Sequence, residues 1–314
     1  MDSEEIGDVV IMKTPILSLC MPTNGIIEWV FPVLDSIYAQ SVDENLFEVI
    51  VTNNGDNEEF HKMMVDYAAN HSNLIYKKTN AHMFHNQLEA LKYASGLYLK
   101  FVNHRAAFVD GALNEIINYV QANVDIKPVL YFSNGVFKKD FSLESFDLFV
   151  RILGEYASWT TGVGIWKSDY DDLPDDIRID KISPHSCILF ANREKNAYKI
   201  INFLFSKEID KDHSKKGTYD LFKAFGVEEL SITQNLYIDG DISADTLKSV
   251  KRRYKLFVAQ LYWDFVIRKK PCSYILTGFN DAMGIYFCKY EVILLAYLGG
   301  VYRFIKRIFT TKLK

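Results

Sequence analysis

Long apolar runs, paired cysteines and glycine-rich loops are what this 314-residue sequence has least of. A helix needs about 20 consecutive apolar residues to cross a bilayer. No stretch is that long, so no single segment is expected to span a membrane. The four cysteines, Cys20, Cys187, Cys272 and Cys288, lack paired or metal-type spacing, which argues against a disulfide frame and for a reducing compartment. The opening Met1-Asp2-Ser3-Glu4-Glu5 is acidic where a secretory leader is basic, so the chain is expected to stay on the side where it is made. A nucleotidyltransferase would need a Gly-rich phosphate loop near the first strand, and Pro22-Thr23-Asn24-Gly25 does not supply one. There is no internal repeat and no low-complexity segment.

With 49% hydrophobic and 14% aromatic residues, the chain can bury a large core. Its net charge of −4 hides an asymmetry: residues 243–314 carry 14 Lys+Arg against 4 Asp+Glu, or +10, which leaves −14 for the remainder. Such a tail suits a polyanionic surface, either nucleic acid or an anionic membrane. No nucleic-acid recognition motif is present and the tail is apolar, so the membrane is the expected partner and nucleic acid is not. Val292–Leu298 is strongly apolar, Gly299-Gly300 interrupts it, and Arg303, Lys306, Arg307, Lys312 and Lys314 follow. This pattern predicts an interfacial helix. The alternative is a helix packed on the domain that makes a homo-oligomer contact.

Apolar runs at 16–21, 47–52, 74–78 and 98–102 read as strands, and helical patterns at 28–40, 58–70 and 84–94 separate them. This β-α alternation predicts a mostly parallel sheet with ligands at the carboxyl ends of its strands. Three polar clusters fall there: Pro22-Thr23-Asn24, Asn53-Asn54-Gly55 and Asn103-His104-Arg105. Further strands are expected at 129–132 and 162–166, an acidic loop at 169–180, and two helices at 245–269 and 280–308. The predicted domains are 1–227 and a basic, aromatic-rich helical extension, 228–314.

Residues 15–110 resemble family-2 glycosyltransferases of GT-A fold. The opening strand Pro15-Ile-Leu-Ser-Leu-Cys-Met-Pro-Thr-Asn24 and the helix Leu34-Asp-Ser-Ile-Tyr-Ala-Gln40 are similar to that family's first elements. Phe47 to Gly55 stands where the family has a strand ending in Asp-Asp-Gly or Asp-Asn-Gly, and Asn86, Ala90 and Ala94-Ser95-Gly96-Leu97-Tyr98 match its next helix. The nearest resemblance is to the abequosyltransferase-like branch that builds bacterial surface polysaccharide. It implies an α/β GT-A (Rossmann-like) sheet flanked by helices, and transfer of a sugar from a UDP-, dTDP- or CDP-linked donor. The implied acceptor is a lipid-linked saccharide of O-antigen or capsule, met on the cytoplasmic face of the inner membrane. A non-catalytic scaffold of the same fold is the alternative.

One departure bears on chemistry. The family's fourth strand normally ends in Asp-x-Asp, which holds ribose and a divalent metal, and here those positions read Asn103-His104-Arg105. Asp210-Lys-Asp212 and Asp239-Gly-Asp241 follow no suitable strand. A divalent metal is therefore not expected, the alternative being a weak site at Asn103-His104 completed by Asp212 or His213, and Arg105, helped by His104 if protonated and by Lys215 and Lys216, would supply positive charge to the leaving diphosphate. Pro22, Thr23, Asn24, Asn53, Asn54 and Asn86 are the donor-binding candidates, since amides offer both donors and acceptors to a base or ribose, and Asn103 suits a ribose hydroxyl. Asn53-Asn54-Gly55 could equally be turn chemistry. His185, which titrates in the useful range, and Asp180 are the candidate bases, and Trp159 and Trp166 could stack an acceptor sugar or pack in the core.

Overall fold

The computed structural model describes residues 14–209, 214 and 216–311, with side chains described as far as Tyr302. The first seven elements follow the predicted alternation: β1 (Leu17–Thr23), α1 (Ile27–Tyr38), β2 (Phe47–Asn53), α2 (Glu58–Ala69), β3 (Leu74–Lys78), α3 (Asn86–Lys92) and β4 (Tyr98–Phe101). Next come β5 (Ala106–Phe108), α4 (Ala112–Gln121), β6 (Val129–Phe132), β7 (Phe141–Leu143), α5 (Phe146–Leu153), β8 (Gly164–Trp166) and α6 (Lys167–Asp171). Thus α6 opens the stretch expected as an acidic loop. Then follow α7 (Pro184–Ala191), β9 (Tyr198–Ile201), β10 (Ser206–Glu208), α8 (Leu221–Lys223), α9 (Glu229–Ile238), α10 (Ala244–Leu261), α11 (Phe279–Tyr286) and α12 (Lys289–Thr311).

The main sheet has the order β3-β2-β1-β4-β8, parallel except for the antiparallel β4–β8 pair. Period-two alternation feeds two cores. Leu17, Leu19 and Met21 of β1 and Val49 and Val51 of β2 face one apolar cluster with α1, α2 and α4, whereas Cys20 and Ile50 face the other. Because β1 lies between β2 and β4, the strand order reverses beside it, and a crevice opens at the carboxyl ends of β1 and β4. A Cβ at Gly55 would lie 2.0 Å from the Asn24 carbonyl oxygen, so the loops after β1 and β2 touch, backbone to side chain-free backbone.

The second core joins the sheet to the C-terminal helices. It contains Phe149, Leu153 and Tyr198 together with Leu230, Val250, Tyr254, Val258, Met283 and Val292. Position 227/228, the expected domain boundary, falls inside the π-helical turn Ala224–Glu228, which runs directly into α9. Asp147 of α5 accepts hydrogen bonds from the Ser243 amide (2.6 Å) and the Thr246 hydroxyl (2.8 Å), tying the start of α10 to the sheet domain.

The predicted 280–308 helix is two helices, α11 and α12, bent by 105° at Phe287-Cys288. Helix α12 continues through Gly299-Gly300 rather than breaking there. A Cβ at Gly300 would lie 2.3 Å from the Trp263 ring, so the glycine is set by helix packing. Among the described residues, no single helix is long and apolar enough to cross a membrane.

Lys100 of β4 is wholly buried, with its ammonium 4.8 and 4.6 Å from the Phe132 and Phe205 ring centres and donating to the Thr161 carbonyl. Burial pulls its pKa down to about 7. The folded value lies below the unfolded one, so the unfolded chain binds more protons above pH 7 and stability rises with pH through that window. Lys100→Met is expected to be more stable than the parent at pH 7 by about 1–3 kcal/mol. The gap should narrow by about 2 kcal/mol by pH 9 in urea titrations. Gly55→Ala, forced against the Asn24 backbone, is expected to cost about 1–3 kcal/mol in the same assay.

Candidate active site

At the carboxyl ends of β1 and β4 lies a cleft of about 520 Å³, lined by residues from all three polar clusters. Pro22, Thr23 and Asn24 come from the end of β1, Asn54 from the turn after β2, Asn86 from α3, and Asn103, His104 and Arg105 from the β4–β5 turn. Lys216 closes one side together with Tyr219 and Tyr274. Lys215 lies outside the described residues, as do Asp210, Asp212 and His213.

Two of the expected donor-binding amides, Asn53 and Asn86, have both polar atoms engaged within the protein, and a third, Asn54, has its nitrogen engaged. Asn53 is fully buried and does not line the cleft: its Oδ1 accepts from the Gly55 amide (2.9 Å), and its Nδ2 donates to Tyr76 (3.3 Å). This is the turn chemistry that the Asn53-Asn54-Gly55 string also permitted. Asn86 donates to the Thr23 carbonyl (3.1 Å) and the Thr52 carbonyl (2.7 Å) and accepts from the Thr79 hydroxyl (2.8 Å). Asn54 donates to the carbonyls of Ala81 (2.9 Å) and Met83 (3.0 Å). That bond holds a turn in which Met83 adopts a φ of 46°.

The positive charge is arranged differently from expectation. Arg105 is 8% exposed; its Nη2 donates to Glu208 at 2.7 Å, and its guanidinium lies 5.7 Å from the Trp29 ring centre. Its Nη1 is buried without a hydrogen-bond partner among the described residues. The β5–β10 ribbon creates the Glu208 contact, since Glu208 stands opposite Ala106. Lys216 Nζ lies 3.9 Å from the same carboxylate. Among the described residues, Arg105 and Lys216 thus share the Glu208 carboxylate.

His104 does not add to that charge. Burial and the neighbouring Arg105 push its pKa down to about 4, so the ring is neutral at pH 7. Thr23 Oγ1 lies 2.7 Å from His104 Nδ1 and accepts from the Gly25 amide at 3.1 Å. With a neutral ring, Thr23 donates to Nδ1 in the Nε2–H tautomer and accepts from it in the Nδ1–H tautomer, since the hydroxyl oxygen has two lone pairs.

Neither expected base faces the cleft. Asp180 Oδ1 accepts from the Ile182 and Ser183 amides, both at 2.8 Å, and so organises the start of α7; it borders a separate cavity of about 620 Å³. His185 is buried behind the cleft wall, with Nδ1 3.1 Å from Gln87 Oε1 and Nε2 3.0 Å from the Ser158 carbonyl. Burial pushes its pKa down to about 4. Trp166 is core, its indole donating to the Pro128 carbonyl at 2.7 Å, while Trp159 is partly exposed against Tyr156. Asp241 pairs with Arg193 at 2.9 Å. Sequence reasoning missed Trp29, Gln87, Thr160, Tyr219 and Tyr274, all of which line the cleft. Tyr219 and Tyr274 arrive from beyond residue 217, where no local motif marks them.

The sequence profile of Glycosyl transferase family 2 matches residues 18–176, half of the chain. TarS 1–349 of S. aureus in complex with UDP-GlcNAc superimposes with a TM-score of 0.56 at 13% identity, over 86% of this chain and 80% of that one. The same protein with UDP gives 0.50 at 14% identity, over 78% and 71%. Against two further TarS structures the chain spans less than two thirds of the partner's length, 59% and 43%. At such identities the shared feature is the fold, and no curated protein sequence matches the chain. The profile match and a parallel sheet with its cleft at the β1/β4 crossover lead to one conclusion: the chain belongs to glycosyl transferase family 2, built on the GT-A fold.

Proposed function

We propose that the cleft binds a nucleoside-diphosphate sugar and that the chain transfers the sugar to a saccharide acceptor, lipid-linked, in bacterial surface-polysaccharide assembly such as O-antigen or capsule. The observation that carries this reading is Arg105 Nη1, a buried donor without a hydrogen-bond partner among the described residues, on a residue that lines the cleft at the strand end where the family handles the diphosphate. Transfer breaks the bond between the anomeric carbon and the diphosphate oxygen, whose electron pair leaves with the diphosphate. The acceptor oxygen forms the new bond and loses its proton to solvent water or to the departing diphosphate. Arg105 stabilises the departing charge through a fixed N–H aimed at it, with Lys216 beside it. Asn103 keeps its proposed role toward a ribose hydroxyl, with the neutral imidazole of His104 alongside. Among the described residues lining the cleft there is no carboxylate, so no general base is assigned to it. The UDP and UDP-GlcNAc named for TarS make UDP-sugars the first donors to test, with dTDP- and CDP-sugars beside them.

The family's divalent metal does not fit these residues. Mg²⁺ and Mn²⁺ seek oxygen ligands, carboxylates above all. Here the corresponding positions supply an amide, a neutral imidazole bonded to Thr23 and a guanidinium, and the adjacent Glu208 already pairs with Arg105. Donor binding is therefore expected to change less than twofold on adding EDTA or Mn²⁺, and Arg105→Ala to weaken nucleoside-diphosphate binding at least tenfold, by thermal shift and calorimetry. Loss of binding with EDTA, its return with Mn²⁺ and an unaffected Arg105→Ala would install a metal mechanism instead.

The proposed seat of the enzyme is the cytoplasmic surface of the inner membrane, held by α12. Tyr290, Leu294, Tyr297, Leu298, Val301 and Tyr302 are exposed along one side of this helix, Tyr290 to 72% and Leu298 to 59%. Basic residues follow at 303, 306 and 307. An apolar stripe followed by cations matches the interface of an anionic bilayer. The parent is expected to float with phosphatidylglycerol-containing liposomes, and Leu294→Asp with Leu298→Asp to cut the bound fraction at least fivefold. Equal flotation, or a light-scattering dimer that the same substitutions split, would assign the stripe to a second copy of the chain.

A further inference from the structure

The wall between the cleft and α7 contains a hydrogen-bond chain that the donor-binding reading does not use. Gln87 of α3 lines the cleft and is 5% exposed, and behind it His185 of α7 bridges Gln87 to the Ser158 carbonyl. Both apparent partners of the ring are oxygens, Gln87 Oε1 at 3.1 Å and Ser158 O at 3.0 Å. A backbone carbonyl can only accept, so Nε2 of His185 carries a proton. If the ring has one proton, Nδ1 is bare and must accept, which a carboxamide oxygen cannot satisfy. The two ends of a carboxamide are near-isosteric, and a half-turn about the last side-chain bond exchanges them.

A doubly protonated ring would satisfy both oxygens as drawn, but it would place a cation in a nearly dry site. Burial opposes this, with only the Ser158 carbonyl and the field of Asp180 favouring it, and the balance pulls the ring's pKa down to about 4. The nearby carboxyl of Glu229 is held by Ser183, Ser186 and Tyr254 rather than by the imidazole.

We infer that His185 is a positioning residue that turns the Gln87 carboxamide so that its Nε2–H donates to His185 Nδ1 and its Oε1 faces the cleft as a hydrogen-bond acceptor for a donor-sugar hydroxyl. The inference rests on the nucleotide-sugar reading of the cleft for its ligand, but the orientation of Gln87 stands independently. The site would favour a sugar that presents a hydroxyl proton at this wall over one that is deoxygenated or etherified there, because the buried acceptor would be left without a partner. Ser158 lies two residues before Thr160, another cleft residue, so the same imidazole also ties that segment to α7.

Two measurements on the full chain test this. In imidazole ¹⁵N spectra, His185, assigned by its absence from His185→Asn, should be the Nε2–H tautomer and should not titrate between pH 7 and 5.5. An Nδ1–H or cationic ring at pH 7 overturns the inference. Affinities are then measured for UDP-glucose, dTDP-glucose and CDP-glucose and their free diphosphates. Gln87→Leu should weaken the best-bound sugar nucleotide about tenfold and its free diphosphate less than twofold. Gln87→Glu should stay within threefold of the parent, because a carboxylate still offers an acceptor to the cleft, while His185 becomes cationic near neutral pH to donate to it. Equal loss in both variants would mean that Gln87 donates to the sugar, and the inference falls. If the parent binds no nucleotide at all, the donor reading fails, while the tautomer still decides the orientation.

Discussion

The Asn86 carboxamide is the interaction on which the cleft depends. Its Nδ2 reaches the carbonyls of Thr23 and Thr52, and its Oδ1 takes the Thr79 hydroxyl, so one buried side chain ties α3 to the ends of β1 and β2 and to the residue after β3. Strand ends are where ladder partners run out, and a buried carbonyl without a partner costs about 1–3 kcal/mol. Asn86 meets that need and fixes the crevice floor. Its polar atoms are consumed in doing so, and its contribution to any ligand is placement of its neighbours Gln87 and Thr23.

The electrostatics of the cleft follow from the same economy of partners. Arg105 stands where relatives place a carboxylate, yet it is no isolated cation. Glu208 on the β5–β10 ribbon takes one of its nitrogens and Trp29 packs against the guanidinium, while Nη1 is buried without a hydrogen-bond partner among the described residues. A guanidinium oriented in this way loses little freedom on binding an anion, which is the advantage of a fixed fork over a flexible ammonium. The two buried histidines take the opposite role. Each is held neutral by burial, and each acts as a hydrogen-bond connector, His104 to Thr23 and His185 to Gln87.

The C-terminal helices are both core and surface. Met283 of α11 and Val292 and Ala296 of α12 are buried in the cluster that covers one face of the sheet, while Leu294, Tyr297 and Leu298 of α12 remain exposed. The 105° bend between α11 and α12 allows this division, since it lets α11 pack against the π-turn at Ala224–Glu228 while α12 crosses α10. The amphipathic arrangement therefore belongs to the folded molecule and was only partly visible in the local sequence pattern.

Local periodicity by itself determined the β-α alternation through residue 102, because apolar period two and period 3.6 are properties of the chain alone. It also placed Thr23, Asn54, Asn103 and Arg105 at strand ends, where the cleft does form. Local sequence could not tell an amide that lines the cleft from one that does not: Asn53 and Asn103 look alike, each accepting from the amide two residues on, yet Asn53 is drawn away to Tyr76 and only Asn103 lines the cleft. Long-range packing alone paired Arg105 with Glu208, 103 positions away, and set His185 behind Gln87, 98 positions away. Such choices depend on which surfaces exclude water together, and that is fixed only when the sheet, the ribbon and the C-terminal helices have closed on one another.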